Sequence, residues 1–183
     1  DVSVLFDAGI SLAPYRFNLP PHPIEFQTIS QLRKRIAQAA DQATVTTISH
    51  YHFDHHTPSF EDWVANWTED GETARQIYVD KTVLAKNPKE NINANQRQRG
   101  WMFSKTGGKY AKTVAAADGK TFSFGDTKLK FSEAVVHGAE DSVNGWVIMA
   151  TVESGEERFM FCPDVQGPMS KCTAEMILDI KPQ

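Results

Sequence analysis

The sequence has few of the features that mark secreted or membrane proteins. Its two cysteines, Cys162 and Cys172, are too few for a disulfide framework and too far apart for a zinc knuckle or redox pair. We expect partly buried, reduced thiols, which favours a cytoplasmic location. No apolar run approaches the roughly 20 residues that span a bilayer, and the first residues lack the pattern of a secretion signal. The sequence therefore predicts a cytoplasmic protein without a membrane partner.

The sequence also lacks an excess of one charge. Its net charge of −4 does not favour broad adhesion to nucleic acid, although it is compatible with a local basic patch. The 183 residues suffice for one domain with a sizeable core and are too few for two ordinary domains. We therefore expect a single domain over residues 1–183.

Local patterns predict strands alternating with helices early in the chain and an antiparallel meander later. In the first helix the apolar positions share one face, so Arg33, Lys34 and Arg35 should mostly turn to water. Predicted strands cover 2–6, 45–48, 76–79, 121–124, 128–131, 134–136, 146–152 and 158–161; predicted helices cover 24–40, 91–102 and 174–180, and another begins near 57–62. This mixture indicates an α/β (α+β) protein in which helices cover the outer faces of sheets.

Histidine is scarce in this chain but concentrated in one place. Four of the six histidines fall between residues 50 and 56, directly after a predicted strand. If His50 and His52 lie in an extended segment, their side chains share one face. Asp54 continues that face, and a turn before His55 would bring its ring to the same cavity. Imidazole and carboxylate ligands suit zinc, and also iron or manganese.

This cluster predicts two adjacent metal ions rather than one. Three or four ligands within six residues cannot all bind one ion without strain. Solvated histidines are the alternative, but four of them interleaved with a carboxylate after an apolar strand are hard to explain in that way. His56 is adjacent to His55 and would point away from it, so we expect it to support a ligand from behind or to lie at the surface.

Two later residues fit the same cavity. His137 follows a predicted strand and precedes a glycine; alone it would be structural, but a cluster that needs a third imidazole makes it a ligand candidate. Asp164 follows another buried strand. A carboxylate there is costly to bury without a partner, and a pair of cations is such a partner.

Together these residues resemble the metallo-β-lactamase fold superfamily. The shared features are His50-x-His52-x-Asp54-His55 after a strand, His137 and Asp164 after later strands, and Asp7-Ala8-Gly9 after the first strand. The likeness to a mainly archaeal, metal-dependent hydrolase-like branch is closer still, and it lies in residues 12–21, 47–58 and 164–168.

The resemblance implies an αββα sandwich with the metals at one edge of two facing sheets. It assigns ligands to two ions: His50, His52 and His137 to the first, Asp54 and His55 to the second, and Asp164 to both. Asp7 would orient a ligand from behind. The resemblance also implies a fold that is incomplete at the N- and C-terminal ends, because the family has earlier strands and a last histidine beyond the bridging aspartate. A homo-oligomer or a partner chain would then complete it.

We therefore expect a metal-dependent hydrolase that uses two zinc ions, or iron or manganese. A metal-activated hydroxide would attack a small-molecule, phosphodiester or other ester-type substrate, and Asp54 would act catalytically by orienting the nucleophile or relaying a proton. Two alternatives stay open. The missing last ligand favours a non-catalytic, metal-holding binding or assembly module, and the same ligands accept two irons for redox chemistry.

One further stretch gives a hint about the substrate. Arg97, Arg99 and Trp101 interleave basic side chains with an aromatic ring, a combination that binds phosphate and stacks on a base. Nucleic acid is therefore one candidate partner. The alternative is a solvated helix face with Trp101 in the core, which a chain of net negative charge favours.

Overall fold

The computed structural model describes residues 2–13 and 16–183, and its first half forms a parallel sheet. The sheet order is β1-β2-β3-β4, and the strands are Val4–Leu5, Val45–Ile48, Thr82–Ala85 and Thr113–Ala116. Helices α1 (Pro23–Gln42), α2 (Glu72–Tyr78) and α3 (Ala94–Lys105) lie between successive strands. Neighbouring parallel strands need such long crossover connections.

The second half forms antiparallel sheets. Strands β5 (Thr121–Phe124), β6 (Thr127–Phe131), β9 (Ala150–Ser154) and β10 (Glu157–Phe161) make one sheet in the order β10-β9-β6-β5, and β7 (Val135–Val136) pairs with β8 (Trp146–Val147). Helix α4 (Lys171–Ile180) follows, and a short 3-10 helix at Gly107–Lys109 lies between α3 and β4. Within the described ranges, no helix is both long and apolar enough to cross a membrane.

Apolar side chains hold these elements together in layers. Val45 and Leu84 of the parallel sheet pack with Leu129 and Phe131 of the antiparallel sheet. Separate apolar clusters join α1, α2 and α3 to the parallel sheet and α4 to residues around β7, β8 and β10. The expected mixed α/β fold with helices outside the sheets is thereby confirmed.

Two of the predicted elements are absent, and the strand expected at 146–152 is divided into β8 and β9, which belong to different sheets. The helix expected near 57–62 is absent, because residues 57–71 are irregular and the Asp62 carboxylate accepts from the backbone amides of Val64 and Ala65, which closes a turn. The strand expected at 76–79 is the end of α2, where Ile77 and Tyr78 bury one helix face. The prediction also missed two strands, β3 after α2 and β4 after α3.

Arg33 also departs from the prediction, because it is buried rather than turned to water. Its side chain is 6% exposed, whereas Lys34 and Arg35 are exposed. The guanidinium donates to Thr57 Oγ1 at 2.8 Å and to the carbonyl oxygen of Asn66 at 2.7 Å, and a longer bond of 3.3 Å reaches the carbonyl of Ile10. Arg33 therefore fixes α1 to the two loops that adjoin the histidine cluster.

We expect Arg33→Met to lower the free energy of unfolding by about 3 kcal/mol, because it leaves buried acceptors without their charged donor. Lys34→Met, the matched control on the exposed side of the same turn, should change it by less than about 0.5 kcal/mol. Urea unfolding followed by tryptophan fluorescence measures both. Equal midpoints for the two variants would contradict the structural role of Arg33.

Candidate metal centre

The candidate ligands lie where four strands end. Asp7 follows β1, the segment 50–56 follows β2, His137 follows β7 and Asp164 lies shortly after β10. In residues 2–13 and 16–183, three groups have donor atoms within 4.8 Å of one another: His50, His52, His137 and Asp164; Asp7, His50 and His55; and Asp54, His55 and Asp164. The fold thus brings together all six ligands expected from the sequence, and also Asp7.

The loop after β2 gathers its ligands by turning sharply. β2 ends at Ile48, and the backbone amides of His55 and His56 donate to the carbonyl oxygen of His52 at 3.0 and 3.2 Å. The turn expected before His55 is present. The extended segment expected for His50 and His52 is not, so turn geometry rather than strand alternation brings these two rings together.

The first group has the spacing of ligands around one ion. Nε2 of His50 lies 3.0 Å from Nδ1 of His52 and 3.5 Å from Oδ2 of Asp164, and Nε2 of His137 lies 3.0 Å from the same oxygen. Tetrahedral ligands at bond lengths of about 2.0–2.1 Å have donor atoms about 3.4 Å apart. In the described structure, Nδ1 of the buried His137 has no hydrogen-bond partner, and the polar atom beside its Nε2 is Oδ2 of Asp164. This donor set fits a divalent ion such as zinc.

The pKa values in the same group favour binding of a cation. Burial lowers the pKa of His50 to about 3 and that of His52 to about 4, so both rings are neutral at neutral pH and offer lone pairs. Hydrogen bonds with three imidazoles hold the pKa of the Asp164 carboxyl well below its usual range. His137 has the largest effect, and His50 and His55 have smaller effects in the same direction. The group therefore presents the neutral imidazoles of His50 and His52 and one carboxylate, ligand types that zinc prefers.

The second group shares Asp164 with the first. Nε2 of His55 lies 3.1 Å from Oδ2 of Asp164 and 3.7 Å from Oδ2 of Asp54. Burial opposes protonation of His55, but hydrogen bonds to Asp164 and Asp7 raise its pKa to about 10. The Asp54 side chain is 53% exposed, so it lies on the open side of the cluster. This group contains two carboxylates, those of Asp54 and Asp164, and Asp7 contacts its imidazole from behind.

Asp7 holds two of the rings in place. Its Oδ2 lies 2.8 Å from Nδ1 of His55, and it also accepts from the hydroxyl of Ser49, whose Oγ lies 3.0 Å from Nδ1 of His50. Its Oδ1 accepts from the backbone amide of Ser49 at 2.8 Å. Such contacts behind a ligand set its ring orientation and tautomer. Sequence reasoning missed Ser49, although a hydroxyl directly before the histidine motif was its signal.

His56 supports the loop from inside the protein. It is 2% exposed, and its Nδ1 lies 3.0 Å from the carbonyl oxygen of His52. Burial lowers its pKa to about 3. The surface position that the sequence left open is therefore wrong, whereas a supporting position behind a ligand agrees with the structure.

Gly9 allows the Asp7 turn to approach the histidine loop. A Cβ at this position would collide with backbone atoms of Asp54, His55 and His56. We expect Gly9→Ala to displace the loop and to weaken zinc binding at least about 10-fold, measured by competition with a chromophoric chelator. Gly155→Ala is the control: a Cβ there meets nothing within 4 Å, and the strain from its φ of +58° falls on the β9–β10 turn. Unchanged zinc affinity in Gly9→Ala would contradict this prediction.

The three residues proposed for substrate binding do not form one surface. Arg97 is exposed, and Trp101 is 59% exposed, so the alternative with Trp101 in the core is wrong. Arg99 is half-buried and lies over the ring of Phe53, with its Cζ 4.1 Å from the ring centroid. Arg99 is therefore the member of this set that contacts the histidine loop.

The chain is similar to the UPF0282 proteins. One from Thermococcus gammatolerans is 42% identical over 181 residues, which are 99% of this chain and 59% of the relative. One from Methanocaldococcus jannaschii is 40% identical over 182 residues, which are 100% of this chain and 61% of the relative. The chain thus spans about three-fifths of the length of these UPF0282 relatives. The relatives are mostly archaeal, which agrees with the resemblance to a mainly archaeal branch.

No protein-family model matches the chain. Two solved structures show distant similarity. A possible metal-dependent hydrolase from Veillonella parvula is 12% identical with a TM-score of 0.44, over 79% of this chain and 48% of that chain. An isothiocyanate hydrolase from Delia radicum gut bacteria is 12% identical with a TM-score of 0.47, over 98% of this chain and 61% of that chain. Similarity at this level decides neither fold nor function, so the site's own residues carry the functional conclusion.

Proposed function

We propose that this chain is a metal-dependent hydrolase with a dinuclear site in a metallo-β-lactamase-type αββα fold. His137 carries the proposal. It is buried, its Nδ1 has no hydrogen-bond partner among the described residues, and the polar atom beside its Nε2 is Oδ2 of Asp164 at 3.0 Å, which belongs to the same donor cluster as His50 and His52. Buried polar atoms are nearly always paired in native proteins, and a metal ion is the partner that this donor set fits.

The ligand assignment follows the two groups. His50, His52 and His137 would hold the first ion. Asp54 and His55 would hold the second, and Asp164 belongs to both groups. Nitrogen and carboxylate donors suit zinc best, while iron and manganese are accepted by the same set.

The residues around the ions would have different roles in hydrolysis. When bound, two divalent ions supply Lewis acidity, which lowers the pKa of water from 15.7 towards about 7. His50 and His137 are buried and form the floor, whereas Asp54 is half exposed, so substrate would approach from the Asp54 side. A carboxylate oxygen of Asp54 would orient the attacking water and accept its proton. Asp7 would keep His55, and through Ser49 also His50, in their working orientations.

A small-molecule phosphodiester or another ester is the substrate class we favour. The experiment uses the full chain without an affinity tag, stripped of metal and reloaded with zinc. Phosphodiesters, thioesters and lactams are then tested as substrates. We expect turnover of one class to return as zinc is added and to disappear with a chelator.

Two other outcomes would contradict hydrolysis. Retention of zinc without turnover of any of these substrates would favour a metal-holding binding or assembly module. The second candidate function, di-iron redox chemistry, rests on the carboxylate that the two groups share. Binding of two irons with reactivity towards oxygen, and no hydrolysis with zinc, would favour that function.

A further inference from the structure

Arg99 places a positive charge against the loop that carries the candidate ligands. Its guanidinium lies 4.1 Å from the ring centroid of Phe53, and its Nη1 lies 3.5 Å from the carbonyl oxygen of Tyr51. Tyr51 and Phe53 alternate along the chain with His50, His52 and Asp54. The guanidinium therefore contacts a backbone carbonyl and an aromatic ring of the loop that carries the candidate ligands, without belonging to either ligand group.

This charge has no partner of opposite sign in contact with it. Within residues 2–13 and 16–183, Arg99 forms no salt bridge with a carboxylate within 4 Å, and the long bond to Tyr51 is its one hydrogen bond. Burial lowers the pKa of Arg99, and Asp54 opposes that effect from a distance. A guanidinium has five N–H donors in a planar fork that matches an oxyanion. Arg99 thus offers most of its donors to a ligand.

Helix α3 holds Arg99 rigidly in this position. A Cβ on Gly100 would lie 2.8 Å from the ring of Tyr51, so the helix backbone packs closely against the histidine loop. At the other end of the helix, the side-chain amide of Gln96 donates to the carbonyl oxygen of Asn144 at 2.6 Å. The neighbouring carbonyl of Gly145 accepts from the amide of His137 at 2.9 Å. The helix is therefore fixed to both parts of the metal centre.

We propose that Arg99 binds an anionic oxygen group of the substrate, phosphoryl or carboxylate, beside the metal centre. The proposal rests on the hydrolase function and narrows its substrates to anions. The exposed Arg97 and Trp101 take no part in this contact. An oxyanion bound by Arg99 would lie against the loop that carries His50, His52 and Asp54.

Binding of inorganic phosphate and of acetate tests this proposal by isothermal titration. In the zinc-loaded full chain, Arg99→Gln should lower the affinity for the anion that the site recognises, phosphate or acetate, at least about 10-fold, because charge-assisted hydrogen bonds are lost. Arg99→Lys should fall between wild type and Arg99→Gln. Arg97→Gln, two positions away on the exposed face, should bind within about twofold of wild type. A loss for phosphate alone identifies a phosphoryl group, and a loss for acetate alone identifies a carboxylate.

Unchanged affinity for both anions in Arg99→Gln would overturn the proposal. Zinc content and melting temperature are measured for each variant, so that a damaged metal centre is recognised. The titrations are repeated on the metal-free chain, where Arg99 should still contribute. If the wild type binds no zinc, the hydrolase proposal fails, while the metal-free titration still decides the role of Arg99.

A pair of substrates separates binding from a merely structural role. Arg99→Gln should lower kcat/KM for the anionic bis(p-nitrophenyl) phosphate about 10- to 100-fold. It should leave kcat/KM for the neutral p-nitrophenyl acetate within about twofold. Equal losses on both substrates would show that Arg99 only supports the loop, and would overturn the proposal.

Discussion

Replacement of His52 by alanine is expected to remove the first zinc ion and to abolish hydrolysis. His52 contributes Nδ1, 3.0 Å from Nε2 of His50, to the group that also contains His137 and Asp164. Loss of one of three imidazoles leaves an ion with too few protein ligands, and we expect its affinity to fall at least about 100-fold. Metal analysis after dialysis and an activity assay measure the two effects.

A histidine outside the site provides the matched control. His22 is exposed, lies at the N-terminus of α1, and accepts there from the backbone amide of Ile24. Asparagine is a favoured residue at this position, so His22→Asn should keep the helix, the metal and the activity. Full metal content and undiminished turnover in His52→Ala would rule out its assignment as a ligand.

Asp164→Ala should have the second large effect, because this carboxylate belongs to both groups. Its Oδ2 lies 3.0 Å from Nε2 of His137 and 3.1 Å from Nε2 of His55. Asp54 belongs to one group only. We therefore expect Asp164→Ala to lower the binding affinity of both zinc ions at least about 100-fold, and Asp54→Ala to lower the affinity of one. Zinc titration against a competing chelator resolves the two binding steps.

Comparison of these two variants tests the shared position of Asp164. Asp126→Ala, in the exposed turn between β5 and β6, controls for loss of an acidic side chain. It should leave both binding steps unchanged. Loss of a single zinc ion in Asp164→Ala, with the other step intact, would contradict a shared ligand.

Local patterns predicted most of the site. His50, His52, Asp54 and His55 are close in sequence, so one loop carries them and their residue types already indicate a metal. His137 and Asp164 were predictable because each follows an apolar strand, where buried polar side chains are unusual. The β5–β6 turn and the helix α1 were likewise predicted, since alternation and helical spacing are local signals.

The errors arose where distant contacts override local signals. Arg33 lies among charged neighbours, and only acceptors such as Thr57 and Asn66, far along the chain, explain its burial. Ile77 and Tyr78 look like strand residues, but the core between helix and sheet uses them on a helix face. The hydroxyl of Ser49 before the histidine motif was a weak local signal, because its role depends on the approach of Asp7 from the segment after β1.

Metal analysis of the full, untagged chain tests the central proposal most directly. The chain is stripped with a chelator, incubated with excess zinc, freed of unbound metal, and analysed by mass spectrometry for zinc per protein. We predict two zinc ions per chain, which fall to at most one when His50, His52 and His137, the three imidazoles assigned to the first ion, are replaced together by alanine. A wild-type chain that retains no more zinc than this triple variant would contradict the metal centre.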